Sequence, residues 1–351
     1  MAMKFSICFL QYNRIELLIK SLKVIEQQTY ADIEVIVSDD CSEDDTMEKI
    51  TELQKTYKFP LKLSRNDKNM GYDYNYRKAI ELGTGEYCLA LGNDDTIYEP
   101  DSIEYLVKFL EENDYPEIGY CNFIEENNPG VVVKRAQATK VLGSGVGVAL
   151  NYYNGFSFVG GLIYKKSAFD KYNTSKHDGS IYSQMYLGVL MITSGCRLFT
   201  VEKPLVLKDM HFKDGSFRWS YYRDGLPKNW KEYRVMDGGL PSVANVLITA
   251  VEDATNSSES DIAFRILKRI YSITFPFWVI QYKKYGSYAA AVGLISGLYP
   301  PRISSYVKIN ITQKISLISI YLSVSVAGLA FPSVLFEKVK TKLYMWVRRN
   351  K

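Results

Sequence analysis

Short apolar segments alternate with segments of helical periodicity over the first 112 residues of the chain. Strands are predicted over residues 5–10, 33–37, 61–64 and 87–91, and helices over residues 15–27, 46–57, 74–82 and 101–112. A helix between consecutive strands carries the chain back across the sheet, so that the strands run parallel. The sequence therefore predicts an α/β fold with a parallel sheet in this part of the chain.

The composition is that of a globular protein with a small charge imbalance. The 351 residues are 47% hydrophobic, and 43 Lys and Arg against 39 Asp and Glu give a net charge of +4, which does not indicate a nucleic-acid-binding protein. The five cysteines form no Cys-x-x-Cys pair, which predicts reduced thiols in a cytosolic setting rather than a zinc site or a disulfide framework. The opening residues carry no signal-peptide pattern, so we expect the folded domain on the cytoplasmic side.

The predicted strand 87–91 is followed closely by two adjacent acids, Asp94 and Asp95. These acids suit a turn, and a turn after a parallel strand lies at the sheet edge where ligands of α/β proteins collect. Two carboxylates at that edge could hold a hard divalent cation beside a phosphorylated ligand. Taken alone, the pair is explained as simply by a turn or a helix cap. A second pair, Asp39 and Asp40, follows the second strand, and it too could only cap a loop.

The pattern is less regular after residue 112. Strands are predicted over residues 118–133, 156–164 and 197–201, with a hairpin-like turn at 127–130 and a break at Gly160 and Gly161. A helix is predicted over residues 180–193, and residues 211–219 have no apolar period and are expected to form a mobile loop. Helical patterns dominate from residue 243, with a joint at residues 256–260.

The order and spacing of five features resemble family 2 glycosyltransferases of the GT-A type that serve bacterial polysaccharide biosynthesis. The features are SICFLQYNR, EVIVSDDCSEDDT, the turn NMG, GTGEYCLALGNDD and a late His211. The resemblance implies a GT-A fold over residues 1–215, Rossmann-like with a mostly parallel central sheet and flanking helices. Residues 216–260 would then be a flexible loop and linker, and residues 261–351 a helical, amphipathic, membrane-associating region.

The resemblance also implies a donor site for a nucleotide-diphosphate sugar. Asp95 would bind Mn²⁺ or Mg²⁺, and Asp94 would touch the ribose or share the ion. Asp40 would accept a hydrogen bond from the base, Tyr12 would flank the base, and Arg14 would steady the phosphates. A diphosphate that leaves as an anion needs positive charge where its charge develops, and a divalent ion supplies it.

His211 is one of only two histidines in the chain. A lone histidine is most often structural or solvated, but the resemblance implies that a histidine at this position completes the metal shell. The following segment, 212–219, would fold over the diphosphate after the donor binds, with Lys213 and Arg218 as phosphate contacts.

The sequence departs from the family pattern at three positions. Gly92 stands where many members carry an Asp. Arg77 stands where the family usually has an Asn, and we predict that Arg77 binds the donor at this position. Inverting transfer needs a base that deprotonates the acceptor hydroxyl. The family places this acid where the chain has Gln184, which cannot take a proton. We therefore predict Asp178, six residues upstream, as the base, with Gln184 orienting the acceptor as the alternative.

Residues 315–336 carry no charge and are long enough to cross a bilayer core. Basic residues flank this segment on both sides, and a single crossing would place one cluster outside, against the positive-inside tendency. We therefore predict a helix in the membrane interface, or a re-entrant hairpin broken at Pro332, rather than a span. The alternative is a buried helical subdomain or a dimer interface, which leaves a homo-oligomer open.

The sequence thus predicts a metal-dependent, inverting glycosyltransferase. It would move a sugar from a nucleotide-diphosphate donor to a lipid-linked or membrane-presented saccharide in O-antigen, capsule or related synthesis. The protein would sit peripherally or monotopically on the cytoplasmic face of the inner membrane. A sugar nucleotidyltransferase is one alternative, but residues 11–14 lack its Gly-rich phosphate loop. A noncatalytic scaffold that binds nucleotide sugar or lipid in a polysaccharide assembly complex is another.

Overall fold

The computed structural model describes residues 2–212, 214, 215, 240–257, 260–303, 309–336, 338 and 339. The chain divides into two compact units, Met1–Tyr222 and Arg223–Lys351. The predicted division at residues 216–260 falls largely outside the described residues, as do Lys213 and Arg218, so these remain predictions.

The first unit is built on one mixed sheet. Its described strands are β1 (Phe5–Gln11), β2 (Ile33–Asp39), β3 (Leu61–Arg65), β4 (Tyr87–Gly92), β5 (Thr96–Ile97), β6 (Ile118–Glu125), β7 (Val132–Val133), β8 (Lys140–Gly143), β9 (Leu162–Lys165) and β10 (Leu198–Lys208). Their order is β3-β2-β1-β4-β9-β6-β10-β5, with β7 on β6 and β8 on β10. The neighbours from β3 to β4 run parallel, as predicted, and so do β6 and β10.

Helices cover this sheet. They are α1 (Ile15–Ile25), α2 (Thr46–Leu53), α3 (Tyr72–Glu81), α4 (Ser102–Glu112), α5 (Val146–Tyr152), α6 (Lys166–Tyr172) and α7 (Ser183–Thr193), and a 3₁₀ turn occupies Tyr153–Phe156. Every residue of β1 and β2 is buried. The apolar runs therefore reflect burial on both faces, which is typical of parallel strands covered by helices.

The sequence prediction was wrong in the middle of the first unit. The predicted strand 156–164 is a turn followed by the short strand β9, and β9 runs antiparallel to both β4 and β6. Strand β10 continues to Lys208, well past the predicted end at residue 201, with register shifts opposite β6 between Val201 and Val206. Pro204, which has no backbone N–H to donate, lies at these shifts and hides the long strand from a periodicity argument.

The second unit is helical in its described residues. Its helices are α8 (Leu240–Thr255), α9 (Ser260–Arg269), α10 (Phe275–Gln281), α11 (Tyr288–Gly297), α12 (Pro300–Ile303) and α13 (Ile311–Ala330), with π-helical turns at Ile270–Thr274 and Tyr282–Gly286. Helix α13 ends shortly before Pro332, the position at which the sequence predicts a break. Among the described helices, α13 is the one that is long and apolar enough to cross a membrane. Only 28% of its apolar stretch is buried.

Candidate active site

The loops after β1 and β2 are bonded to each other at the carboxyl edge of the sheet. The backbone N–H of Asn13 donates to Ser42 Oγ at 2.7 Å, and that of Ile15 donates to Asp44 Oδ2 at 2.8 Å. Asn13 and Arg14 both have left-handed backbone conformations, with φ of 53° and 58°. An Arg in this conformation is uncommon. Here it turns the chain sharply between β1 and α1.

Asn93 joins the loop after β4 to the loop after β1. Its buried side-chain amide lies 2.9 Å from Gln11 Oε1, 3.2 Å from the carbonyl of Tyr12 and 3.0 Å from the carbonyl of Asn13. Tyr12 itself is partly exposed beside this junction. The sequence had indicated only a turn at Asn93. The structure shows that this residue, with Gln11, fixes the distance between two loops of the candidate donor site.

Asp94 and Arg14, both predicted to bind the donor, form an ion pair. Arg14 Nη1 lies 3.0 Å from Asp94 Oδ2, and the two side chains are only 10% and 16% exposed. A largely buried pair of this kind holds both side chains in defined positions. Arg14 is thereby placed beside the acids, where a diphosphate would need positive charge.

Asp95 is fully buried and accepts two long hydrogen bonds from the described residues. The backbone N–H groups of Gly92 and Asp209 lie 3.3 Å from its two carboxylate oxygens. Burial raises the pKa of Asp95 well above the usual carboxyl value, the charge of Asp94 raises it further, and Lys208 opposes the rise. The surroundings of an ionised Asp95 would therefore hold too little positive charge to balance it, and a divalent cation would supply that charge.

Two glycines leave room for the carboxylate of Asp95. A methyl group on Gly160 would lie 2.5 Å from Asp95 Oδ2, and one on Gly92 would lie 3.0 Å from Asp94 Oδ1 and 3.2 Å from Asp95 Oδ2. Gly92, which stands where many family members carry an Asp, therefore lies directly against both acids.

The segment after β10 runs beside the acid pair and carries His211. The backbone N–H of Met210 donates to the carbonyl of Asp94 at 2.8 Å. The backbone N–H and the Nδ1 of His211 lie 2.7 and 3.3 Å from Glu126 Oε2, so this contact of the ring is with Glu126. No three His, Cys, Asp or Glu side chains within the described ranges are grouped closely enough to hold a metal ion. The role of His211 as a metal ligand remains a prediction.

The donor set nevertheless fits a hard cation whose other ligands come from a diphosphate. Asp94 and Asp95 are adjacent carboxylates at the carboxyl edge of the sheet, and Asp95 has spare acceptor capacity. Mg²⁺ is commonly held by one or two carboxylates plus phosphate oxygens rather than by a protein cage. Such a site is completed only when the nucleotide binds.

Asp40 lies at the end of β2 and holds the turn before α3. Its Oδ1 accepts hydrogen bonds from Asn66 Nδ2 at 2.9 Å and from the backbone N–H of Met70 at 2.7 Å, and its Oδ2 accepts from Gly71 at 2.9 Å. Its neighbour Asp39 is bound by Ser42 and Arg65 instead. The two acids of this pair therefore face different partners, and the predicted contact of Asp40 with the base remains a prediction.

Arg77 and Asp178, predicted separately, bind each other. Arg77 Nε donates to Asp178 Oδ1 at 2.8 Å, its Nη2 donates to Asp178 Oδ2, and its Nη1 donates to Asn173 Oδ1 at 3.0 Å. Arg77 is buried, whereas the side chain of Asp178 is 25% exposed. Both carboxylate oxygens of Asp178 are engaged on the side that faces Arg77. An acceptor hydroxyl would have to approach from the exposed side.

Helix α3 also holds the start of α7. The carboxylate of Asp73 accepts from the backbone N–H of Ile181 at 2.7 Å and from that of Ser183 at 3.0 Å. Gln184 is 2% exposed, and its Oε1 accepts no hydrogen bond from the part of the chain that is described. The departures from the family pattern at positions 77 and 184 thus lie on two helices, α3 and α7, and Asp73 of α3 hydrogen-bonds to the start of α7.

Solved structures share this fold. Residues 1–349 of S. aureus TarS in complex with UDP superpose with a TM-score of 0.59 at 17% identity, covering 93% of this chain and 91% of that one. Mannosyltransferase PcManGT of Pyrobaculum calidifontis, in complex with GDP-Man and Mn²⁺, superposes with a TM-score of 0.51 at 17% identity, covering 94% and 88%. The first unit therefore has the GT-A architecture, in which the acid pair lies at the sheet edge.

Sequence comparison gives the family. Residues 6–172 match the model of glycosyl transferase family 2. Abequosyltransferase RfbV of Salmonella typhimurium is 30% identical over 222 residues, which cover 58% of this chain and 66% of that protein. GalNAc(5)-diNAcBac-PP-undecaprenol beta-1,3-glucosyltransferase of Campylobacter jejuni is 32% identical over 126 residues, or 36% of this chain and 40% of that protein. Residues 6–172, just under half of the chain, therefore form a glycosyltransferase family 2 domain. The chain aligns with just under two thirds of RfbV and less than half of the second relative.

Proposed function

We propose that the protein is a cation-dependent glycosyltransferase that moves one sugar from a nucleotide-diphosphate donor to a lipid-linked or membrane-presented saccharide. The observation that carries this proposal is the acid pair at the carboxyl end of β4, the partly buried Asp94 and the buried Asp95, hydrogen-bonded on one side to Arg14 and on the other to the segment after β10. The family assignment and the donors named with the solved structures, UDP, UDP-GlcNAc and GDP-Man, support it.

The cation would be Mn²⁺ or Mg²⁺, held by Asp95 together with Asp94 and His211. When bound, it would supply positive charge to the leaving diphosphate. Within the chain itself, Arg14 adds a fixed positive charge, and the loop contacts of Asn93 hold the acids and the loop after β1 in one arrangement. Preorganised charge of this kind needs no rearrangement as the donor bond breaks.

The remaining donor contacts fall to two residues, in the loops after β1 and β2. Tyr12, partly exposed after β1, would flank the base, and Asp40 would accept a hydrogen bond from it. The backbone N–H groups of Met70 and Gly71 donate hydrogen bonds to the Asp40 carboxylate. A base that binds there would have to displace part of that turn. Arg77 would contribute by holding the neighbouring loop.

The transfer step would invert the configuration of the sugar. The acceptor oxygen attacks the anomeric carbon as the bond to the diphosphate oxygen breaks, and the hydroxyl proton passes to a carboxylate. We assign that carboxylate to Asp178, whose exposed edge is where a hydroxyl can approach. The alternative, in which Gln184 orients the acceptor, is less favoured because the Gln184 side chain is buried. Arg77 would keep Asp178 in place during the step.

The acceptor would be presented at the cytoplasmic face of the inner membrane. The Campylobacter relative is named for an undecaprenol-linked substrate. In the second unit, helix α13 exposes apolar side chains on one face, among them Ile315, Leu322 and Val326, each 54–68% exposed. Such a face suits peripheral or monotopic contact with lipid. This would place the enzyme in the synthesis of a surface polysaccharide such as O-antigen.

The test uses the full chain and a panel of nucleotide sugars with Mn²⁺, with Mg²⁺, and with chelator. We expect donor hydrolysis, or transfer to a lipid-linked saccharide, that requires the cation and is lost in Asp95→Asn. Absence of turnover with every donor would contradict the proposal. Nucleotide binding that persists without turnover would instead indicate a noncatalytic scaffold.

A further inference from the structure

Arg135 is a buried cation in the segment that follows β7. Its guanidinium donates to four backbone carbonyls: Cys121 at 2.9 Å, Gly155 at 3.2 Å, Phe158 at 3.0 Å and Gly160 at 2.7 Å. Three of these carbonyls belong to the turn that precedes β9. The guanidinium therefore fixes the path of this turn, which has no regular strand pairing before residue 162.

The position of Arg135 is itself fixed from both sides. Asn122 Oδ1 accepts hydrogen bonds from the backbone N–H of Arg135 at 2.6 Å and from that of Ala136 at 2.7 Å. The guanidinium carbon lies 5.3 Å from the ring centre of Phe123 and 5.7 Å from that of Phe158. A planar fork between aromatic faces and carbonyls has a defined orientation, which a Lys ammonium would not reproduce.

The turn held by Arg135 lies against the carboxylate of Asp95. The Cα of Gly160 is so close that a methyl group on it would lie 2.5 Å from Asp95 Oδ2. The next residue, Gly161, donates to the carbonyl of Ala90 in β4 at 2.9 Å, which ties the turn to the strand that leads to the acid pair. The only direct hydrogen bonds to the Asp95 side chain from the described residues are two long ones, so its position depends on this packing.

We propose that Arg135 is the positioning residue for Asp95 and acts through the backbone of Gly160. This inference rests on the proposed function of Asp95 as a cation ligand. Arg135 does not touch the cation or the donor. It holds the turn that limits where the Asp95 carboxylate can lie, so that one oxygen stays available to a cation that the diphosphate brings with it. Substitution of a residue that orients a metal ligand in this way typically lowers the metal affinity about 10- to 100-fold.

The test measures binding rather than turnover. Calorimetry on the full chain first determines which of UDP, GDP, CDP and dTDP binds more tightly with Mn²⁺ than without it. The same measurement is then made on Arg135→Lys and Gly160→Ala. The matched controls are Arg197→Lys, at a partly exposed Arg paired with Glu117, and Gly147→Ala, where a methyl group meets nothing within 4 Å. Thermal unfolding reports whether each variant is folded.

Mn²⁺ is expected to increase the affinity of the wild type for the diphosphate. We expect this increase to be at least about tenfold smaller in R135K and in G160A. Their affinity for the diphosphate without Mn²⁺ should stay within about threefold of the wild type, and both controls should match the wild type. A purely structural role would lower the melting temperature and leave the Mn²⁺ effect unchanged.

Two results would overturn the inference and are distinguishable. If the wild type binds no diphosphate more tightly with Mn²⁺, the proposed cation site fails and this inference fails with it. If the wild type does respond to Mn²⁺ and either a folded R135K or G160A responds equally, only the role of Arg135 is refuted. Where R135K does not fold, G160A still tests the inference, because it changes the contact between the turn and Asp95 without removing the guanidinium.

Discussion

At the scale of single residues, the buried environment of Asp95 suits the proposed binding of a cation but lowers the stability of the fold when no cation is bound. Its folded-state pKa is raised by burial and by Asp94, so ionising it costs free energy as the pH rises through the unfolded-state value near 3.8. We expect Asp95→Asn to lower the rate of transfer by roughly 10²–10³ while the cation-free protein melts at the same temperature or higher. Calorimetric scans and initial rates measured at pH 7 check both halves.

Asp101→Asn is the matched control for that variant, because Asp101 is an exposed acid paired with Lys203 on the same unit. It should leave both the rate and the melting temperature close to those of the wild type. A melting temperature that falls by many degrees in D95N, with or without cation, would show that Asp95 serves the fold instead.

Asp178 gives a second expectation at this scale. If it is the base, Asp178→Asn lowers kcat by roughly 10²–10⁴, while KM for the donor stays within about threefold. Asp170→Asn is the control, since Asp170 is also paired with a cation, Lys166, but on the surface of α6. A D178N enzyme with an unchanged kcat and a raised KM would make Asp178 a partner of Arg77 alone.

At the scale of elements, the sequence predicts best where the local pattern and the burial agree. Strands β1 to β4 and their helices were predicted within a few residues, because the strands are largely apolar, apart from β3, and are followed by polar turn residues. The acid pair could be located for the same reason. The turn that holds Asp95 in place could not be predicted, because Gly160 and Gly161 carry no periodic signal, and the contacts of Arg135 with this turn join residues 20 or more positions apart.

A buried acid, Glu34, joins the start of β2 to neighbouring parts of the chain. Glu34 accepts hydrogen bonds from Ser6 Oγ at 2.6 Å and from the side chain of Thr84, and it pairs with Lys4. Burial alone would raise the pKa of Glu34, but these partners outweigh it and lower the pKa to about 2. The resulting stability is present above the unfolded-state pKa near 4.5 and is lost as the pH falls toward 2.

We therefore expect Glu34→Gln to lower the free energy of unfolding by about 2–3 kcal/mol at pH 7, because a neutral amide also presents a donor to groups that need an acceptor. The difference from the wild type should narrow between pH 4.5 and pH 2. Denaturant unfolding across this range measures it, with the exposed Glu48→Gln as control. A difference that does not change with pH would refute the ionic explanation.

A lysine of the π-helical turn Tyr282–Gly286 binds the end of α13. Lys283 Nζ donates to the carbonyl of Gly328 at 3.0 Å, to that of Leu329 at 2.9 Å and to that of Phe331. A positive charge on unpaired carbonyls stabilises a helix C-terminus. Lys283→Met should cost about 1 kcal/mol in unfolding experiments, and the exposed Lys284→Met should cost less. Equal costs for both variants would contradict the capping role.

At the scale of the whole molecule, chain segments far apart in sequence meet at one edge of the sheet of the first unit. The loops after β1 and β4 and the segment after β10 are joined by Asn93 and by the backbone of residues 209–211. Topology explains this. The short strand β5, directly after the acids, pairs antiparallel with β10, which brings the end of β10 beside Asp94 and Asp95. A late histidine near the acids could be expected from the family, but its hydrogen bond to Glu126 could not.

The exposed face of α13 leads to the last prediction, which concerns the full chain. Ile315, Leu322 and Val326 lie on one side of the helix and are mostly exposed, whereas Leu317 and Tyr321 face the interior of the second unit. We expect the variant I315N/L322N/V326N to lose at least about tenfold in affinity for vesicles of phosphatidylcholine and phosphatidylglycerol, because each apolar side chain buried in lipid contributes favourable transfer free energy.

Flotation with these vesicles, and with vesicles of phosphatidylcholine alone, measures the loss and its dependence on lipid charge. The control replaces two exposed apolar residues of the first unit, M70N/V131N, and should float like the wild type. Because the three α13 positions are exposed, the variant should keep its melting temperature. If it floats normally, or if it melts early and aggregates, the face of α13 is a protein-packing surface, and the lipid-linked acceptor must be reached by another route.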